Sequence, residues 1–146
     1  MTKQNAPHIS VLLREVLDIL SPKDGGVYVD GTFGAGGYSR AILESADCKV
    51  FGIDRDPLAI SIGQEMAKEF GGRLLMIEGC YADMVQLLAD QGIDMVDGIA
   101  LDIGVSSMQI DEAERGFSFM REGPLDMRMS GKGRTAAEVV NEESEA

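Results

Sequence analysis

The chain has 146 residues, 45% of them apolar, and a formal net charge of −12. This length fits one domain with a hydrophobic core of its own. The two cysteines and the single histidine lack metal-ligand spacing, which argues against a zinc site and against a disulfide framework. No apolar run approaches membrane-spanning length, so we expect a cytoplasmic protein without membrane or metal partners.

The pattern of apolar residues predicts helices and strands in alternation. An amphipathic helix is expected at about 10–20, with Leu12 among its inward-facing residues. Strands are expected next at 27–30, 49–53, 73–77 and 96–103, and the helices between and after them at 37–46, 57–70 and 82–91. Apolar strands that alternate with helices indicate an α/β fold with a doubly wound, mostly parallel sheet of about four β-α units.

A further helix is predicted close to the end of the chain. Thr135 and Glu138 have the spacing of a capping box. This helix has barely begun when the sequence stops, and a sheet that ends at its fourth strand leaves one edge without a partner. We therefore interpret residues 1–146 as the N-terminal part of a longer domain.

The first strand runs directly into a glycine-rich turn. Asp30 ends the strand, and glycines follow at positions 31, 34, 36 and 37. A strand, a glycine turn and a helix N-terminus bring bare backbone close to a ligand, although a tight turn without a ligand is the alternative. The spacing fits a dinucleotide fingerprint in which Ser39 replaces the third glycine. It also fits the pattern acid-x-x-x-G-x-G, which resembles the first motif of S-adenosylmethionine-dependent methyltransferases.

Asp54, at the end of the second strand, favours a ligand-binding turn. An acid at this place is suited to accept hydrogen bonds from both hydroxyls of a ribose. The competing role for an acid here is a helix cap, but Asp56 followed by Pro57 has the pattern of that cap. We therefore expect Asp54 to be free for a nucleoside-containing ligand.

Three further candidate residues follow the third and fourth strands, where ligands gather in an open α/β sheet. Tyr81 either flanks a purine ring or is a half-buried aromatic residue at a helix start. Asp102 ends the fourth strand, where a buried acid is more often functional than structural. Gln109 either reaches the polar tail of a ligand or faces solvent.

Charge is distributed unevenly along the chain. Residues 113–134 hold five basic and three acidic residues, a net charge of +2 within an acidic protein. The total of −12 argues against a nucleic-acid partner, whereas a locally basic loop is able to meet a phosphate backbone. Charge alone favours the plainer interpretation, an ordinary solvated loop.

Several longer segments carry a family resemblance. The chain resembles the bacterial 16S ribosomal RNA cytosine-N4 methyltransferase family at residues 8–15 (HISVLLRE), 30–37 (DGTFGAGG), 102–107 (DIGVSS), 114–119 (ERGFSF) and 123–129 (GPLDMRM). The likeness covers essentially all 146 residues. The run from 114 to 129 is the most specific part, because no general requirement of the fold produces it.

The resemblance implies a Rossmann-like class I methyltransferase. Its cofactor would be S-adenosyl-L-methionine, and its substrate the N4 atom of a cytosine in 16S ribosomal RNA or in the small ribosomal subunit. By the same matching, the cofactor-binding residues are Gly36, Gly37, Tyr38, Asp54, Tyr81, Asp102 and Gln109. Tyr38 and Tyr81 stand where many members carry His and Phe, and we expect Tyr38 to contribute mainly through its backbone. The family's helical insertion and remaining strands are absent here, and a homodimer stays open.

The chemistry assigns provisional roles to further residues. Asp102, or a backbone carbonyl of residues 103–105, would accept a hydrogen bond from the cytosine amino group and so be catalytic. Candidates to contact the RNA are Phe117 and Phe119, by stacking on the base, and Arg115, Arg121 and Arg128, by binding phosphates. For the two phenylalanines, anchoring the loop in the core is the alternative.

Two other classes of function remain open from sequence. An NAD-dependent oxidoreductase shares the glycine loop and the acid, but His8 precedes the first helix and is better suited to anchor a segment than to act as an acid. A truncated, catalytically inactive cofactor-binding module is the second alternative. For these 146 residues we expect little methyl transfer even when the cofactor binds.

Overall fold

The computed structural model describes residues 10–144, so the predicted roles of His8 and of the segment before Ser10 lie outside the described residues. The chain forms two compact units, which divide after Asp102. The first unit contains α1 (Leu13–Leu20), β1 (Val27–Asp30), α2 (Gly37–Ser45), β2 (Lys49–Asp54), α3 (Pro57–Ala67), β3 (Leu74–Glu78), α4 (Met84–Ala89) and β4 (Gly98–Ala100). The second contains α5 (Ser107–Asp111) and α6 (Ala136–Glu142). Within residues 10–144, no helix is long and apolar enough to cross a lipid bilayer.

The four strands form one parallel sheet in the order β3-β2-β1-β4. This confirms the predicted α/β fold with a parallel sheet. The chain starts in the middle of the sheet at β1, moves outward through β2 and β3, and then returns to β4 on the other side of β1. The strand order therefore reverses between β1 and β4, and the carboxyl ends of these two strands form the crevice where such sheets bind ligands.

The core consists of two apolar layers, one on each face of the sheet. Tyr28, Val50 and Leu74 lie on one face with buried residues of α2 and α3. Val29 and Phe51 lie on the opposite face with residues of α4. Because successive side chains of a strand point to opposite faces, burial of both layers requires the nearly continuous apolar runs seen in β1 and β2.

Several predicted elements are shorter in the structure, among them α3, which ends at Ala67 rather than at residue 70. The strand expected at 96–103 is restricted to β4, which pairs with β1 alone; just before it, the Asp97 carboxylate accepts from the Val27 amide at 2.9 Å. The helix expected at 82–91 begins with a 3₁₀ turn, Tyr81–Asp83, and continues as α4. The helix expected at 10–20 begins at Leu13, because Leu12 has a left-handed φ of 53°. Leu12 is exposed, so its predicted inward position is wrong.

The predicted helix starts at Asp56 and Thr135 are confirmed. The Asp56 side chain accepts a hydrogen bond from the Leu58 amide at 3.0 Å, and Pro57 occupies the first position of α3. Thr135 and Glu138 exchange side chain–backbone hydrogen bonds in a capping box at the start of α6. Each cap satisfies amides that have no partner inside the helix.

Candidate functional site

The glycine-rich turn after β1 is anchored to strands on both sides of it. The Gly31 amide donates to the carbonyl of Ala100 in β4 at 3.0 Å. Two residues later, the Phe33 amide donates to the carbonyl of Ile53 in β2 at 3.1 Å. The turn is therefore fixed between the carboxyl ends of β2 and β4.

Asp54 ties the glycine turn to the tip of β2. Its Oδ2 accepts from the Gly34 amide at 2.8 Å, and its Oδ1 accepts from the Asp56 amide at 2.9 Å. Asp56 is the cap of α3, as the sequence predicts, and Asp54 makes two structural hydrogen bonds that the sequence did not predict. Because a carboxylate oxygen has two acceptor sites, each oxygen can still accept a hydroxyl donor.

Gly36 makes the sharp entry into α2 possible. It is the N-cap of the helix, with φ at 80°, a conformation that glycine adopts without strain. A Cβ at this position would lie 2.5 Å from the Phe33 ring and 2.6 Å from the Met66 methyl group. Position 36 therefore has space for glycine alone, and the positive end of the α2 dipole lies at this turn.

Asp30 lies beneath the turn and joins β1 to the first turn of α2. It is fully buried, and its Oδ2 accepts from the Ser39 hydroxyl at 2.8 Å and from the Ser39 amide at 3.2 Å. Among residues 10–144, no donor in hydrogen-bonding geometry reaches its Oδ1. Burial raises the pKa of Asp30 to about 6, because a carboxylate away from water loses its hydration.

Asp102 lies just beyond β4 and next to the glycine turn. Its amide donates to the Thr32 hydroxyl at 2.7 Å. The side chain is exposed, because β4 is an edge strand that ends two residues earlier, so the prediction of a buried acid is wrong. A hydroxyl at position 32 that fixes Asp102 was not predicted, and no local pattern links residues this far apart in sequence.

Tyr38 contributes its side chain as well as its backbone. The ring is buried, and the hydroxyl donates to the carbonyl of Val11 at 2.6 Å and lies 3.4 Å from Asp102 Oδ2. Burial and the neighbouring Asp102 raise the pKa of Tyr38. The expectation of a mainly backbone role therefore overlooks the side-chain contacts that this residue makes.

Tyr81 lies beside the glycine turn, at the carboxyl end of β3. A Cβ built on Gly31 would be 3.3 Å from the Tyr81 Cβ, and about a third of the tyrosine is exposed. The residue starts a 3₁₀ turn, so the alternative of a half-buried aromatic at a helix start describes its local structure. This placement is also compatible with an aromatic face beside a bound purine.

Gln109 belongs to the second unit, where it is part of a helix cap. Its Oε1 accepts from the Ser106 amide at 3.0 Å, and its own amide donates to the Ser106 hydroxyl at 3.2 Å. It is 4% exposed, so the alternative that it faces solvent is wrong. The cap fixes the residue at the start of α5.

The basic residues of the second unit are largely engaged with their neighbours. Arg128 binds both oxygens of Asp126, which lowers the pKa of Asp126 to about 2. The Arg115 guanidinium lies 5.8 Å from the centre of the Phe117 ring and donates to a backbone carbonyl. Phe119 is 97% exposed, so the core-anchoring alternative is wrong for this residue.

The comparisons with known proteins agree with this arrangement. The family model described as "MraW methylase family" matches residues 5–146. The "Ribosomal RNA small subunit methyltransferase H" of Parvibaculum lavamentivorans is 64% identical over 97% of this chain, which covers 42% of that protein. The protein of the same name from Maricaulis maris is 60% identical with the same coverage. A solved structure of a putative rRNA methylase from Clostridium thermocellum is 23% identical and superposes with a TM-score of 0.51, covering 68% of this chain and 57% of that one.

These matches establish the family and the fold. The chain belongs to the MraW methylase family. It spans about two fifths of the length of the curated relatives that it matches. The structural neighbour confirms the Rossmann-like methyltransferase fold that the sequence predicts. Among residues 10–144, no group of three or more His, Cys, Asp or Glu side chains is arranged to hold a metal ion.

Proposed function

We propose that this member of the MraW methylase family binds S-adenosylmethionine and forms the cofactor-binding part of a methyltransferase acting on a cytosine N4 atom of 16S ribosomal RNA. The observation that carries the proposal is the hydrogen bond between Gly34 and Asp54, which places the glycine turn that follows β1 beside the acid at the tip of β2. The printed name of the curated relatives supports the substrate class. Cofactor binding is proposed for this chain, and RNA methylation for the longer protein.

The residues around the turn fit the parts of this cofactor. The remaining acceptor sites of Asp54 suit the two ribose hydroxyls, and Tyr81 suits one face of the adenine. The backbone of Gly36, Gly37 and Tyr38 suits the amino-acid tail, because the positive end of the α2 dipole attracts its carboxylate. Asp102 completes the proposed set in the first unit, and Gln109, in the second unit, stays a prediction from the family resemblance.

Asp102 is the candidate to act on the substrate amine. When bound, the cofactor supplies a methyl group on a positively charged sulfur, so the chain chiefly has to align the reacting atoms. The cytosine amine is a weak nucleophile because its lone pair is delocalised into the ring. The Asp102 carboxylate is exposed and has no basic partner among residues 10–144, so it can accept a hydrogen bond from that amine. A backbone carbonyl of residues 103–105 is the alternative acceptor.

The second unit offers a contact for single-stranded RNA. Phe119 presents almost its whole ring to solvent, and aromatic rings of this kind stack on unpaired bases. Arg121 donates to the neutral carbonyl of Asp111, so its charge remains available to a phosphate. Arg128 is neutralised by Asp126, and we do not propose it as a phosphate ligand.

A binding module without methyl transfer is the second candidate for the isolated chain. One observation favours it: the chain covers 42% of the length of a curated relative. It predicts normal cofactor binding and no transfer of a labelled methyl group to 16S RNA. The family match leaves no support for the oxidoreductase alternative.

The proposal is tested by measuring the free energy of unfolding of the chain in the presence of S-adenosylhomocysteine or of NAD. A ligand at a hundred times its dissociation constant adds about 2.7 kcal/mol to the free energy of unfolding. We expect this gain with S-adenosylhomocysteine and not with NAD. Asp54→Asn should lose most of it, whereas Asp47→Asn, a change at an exposed acid before β2, should retain it. A cooperative transition that S-adenosylhomocysteine leaves unchanged would contradict the proposal.

A further inference from the structure

The hydroxyl of Tyr38 joins two parts of the first unit that are distant in sequence. It lies 2.6 Å from the carbonyl of Val11, before α1, and 3.4 Å from Asp102 Oδ2, after β4. A phenol has a single proton, which the two acceptors share. The 2.6 Å contact to Val11 is the main hydrogen bond, and the 3.4 Å contact to the Asp102 carboxylate is the weaker branch, so one hydroxyl contacts both segments.

The segment 10–12, which we call the N-terminal strap, lies against the start of α2. A Cβ added to Gly37 would be 2.0 Å from the Ser10 hydroxyl, so the strap occupies the space beside that glycine. Leu12 has φ of 53°, a left-handed conformation that is uncommon for residues other than glycine. Such a conformation persists when its surroundings hold it, and the bond from Tyr38 to Val11 is one such constraint.

Asp102 is held from two directions. The Thr32 hydroxyl accepts a hydrogen bond from the Asp102 amide, which fixes the backbone at this residue, and the Tyr38 hydroxyl contacts the Asp102 carboxylate. No basic side chain of residues 10–144 forms an ion pair with it. A carboxylate without a cation, at the glycine turn where the cofactor is proposed to bind, suits the ammonium group of the cofactor tail.

We propose that Tyr38 is a positioning residue, whose hydroxyl fixes the N-terminal strap and the Asp102 carboxylate so that one oxygen of Asp102 receives the ammonium group of the cofactor tail, which leaves the other oxygen for the substrate amine. This inference rests on the proposed function, because it needs the cofactor to bind beside the glycine turn. It assigns to the tyrosine side chain an effect on the amino-acid end of the ligand and none on the adenosine end.

The test compares two ligands that differ in the tail alone. S-adenosylhomocysteine carries the amino-acid tail, and 5′-methylthioadenosine has the same nucleoside and thioether without it. In Tyr38→Phe, we expect the affinity for S-adenosylhomocysteine to fall about threefold to tenfold, because the strap loses its main hydrogen bond and Asp102 loses a weak one. The affinity for 5′-methylthioadenosine should stay the same. Tyr28→Phe removes another buried phenol hydroxyl, one that accepts from the Lys23 amide, and should change neither affinity.

Asp102→Asn extends the test to a variant that leaves Tyr38 intact. It should lower the affinity for S-adenosylhomocysteine and leave the affinity for 5′-methylthioadenosine unchanged. The double variant should lose little more affinity than the weaker-binding single variant. The inference is overturned if Tyr38→Phe binds S-adenosylhomocysteine normally, if it loses both ligands equally, or if Asp102→Asn shows no loss specific to the tail. A wild-type chain that binds neither ligand would instead contradict the proposed function, and this inference with it.

Discussion

Replacing Asp30 by asparagine is expected to stabilise the first unit at neutral pH. The carboxylate is fully buried, with Ser39 as the donor to its Oδ2 and, among residues 10–144, no donor in hydrogen-bonding geometry at its Oδ1. Asparagine keeps an oxygen for Ser39 and carries no charge. The substitution therefore removes the cost of ionising a buried group while preserving the contact that joins β1 to α2.

The size of the effect follows from the pKa of Asp30. Burial raises this pKa from 3.8 to about 6. The unfolded chain therefore releases its proton at lower pH than the folded chain, so stability falls as pH rises from about 4 to about 6 and is constant above that range. The difference corresponds to about 3 kcal/mol of unfolding free energy. Relative to the wild type, Asp30→Asn should gain that amount between pH 4 and pH 7.

Urea denaturation between pH 4 and pH 7.5 measures this gain. All three tyrosines lie before residue 103, so near-ultraviolet circular dichroism of tyrosine reports on the first unit. Subtracting the wild-type curve from the variant curve cancels the titration of every other acid. Ser39→Ala removes a hydrogen bond that lowers the pKa of Asp30, so its stability should keep falling above pH 6. A variant-minus-wild-type difference that is flat or decreases from pH 4 to pH 7 would refute the reasoning.

Two further predictions concern the glycine turn and the N-terminal cap of α3. Gly36→Ala should cost about 2–4 kcal/mol in urea denaturation, because it adds left-handed strain and a Cβ 2.5 Å from the Phe33 ring. Gly71→Ala, with φ of 58° and open space around it, should cost about 1 kcal/mol, and equal losses would contradict the steric argument. Asp56→Ala should cost about 1–2 kcal/mol through loss of its hydrogen bond to the Leu58 amide, and an unchanged unfolding midpoint would exclude that cap as a source of stability.

Sequence reasoning predicted the strands well where burial on both faces leaves a continuous apolar run. β1 has the predicted bounds, and β2 extends one residue further. β4 was predicted to be much longer than it is, because residues 96–103 have an apolar content similar to that of β1 and β2. Apolar content reports burial, whereas the length of a strand depends on pairing, and β4 has β1 as its single partner.

The sequence indicated the backbone pattern of the candidate site but not its side-chain contacts. Glycines 34 and 36 and the acid at position 54 have a spacing that any strand–turn–helix unit of this kind needs. The partners of Tyr38 are separated from it by 27 and 64 positions. No local periodicity encodes contacts at such distances. Val11 lies before α1, and Asp102 comes close to Tyr38 because β4 pairs with β1.

The contacts that the sequence did not reveal are those that make the turn rigid before a ligand arrives. β4 fixes its first residue through Ala100, β2 fixes its middle through Ile53 and Asp54, and the start of α2 is fixed from below by Asp30. A loop ordered in this way loses little conformational freedom on binding, so more of the contact energy appears as affinity. The glycines allow the close approach, and the three anchors determine how much affinity that approach provides. Weakening an anchor should therefore reduce affinity even where the variant touches no ligand atom.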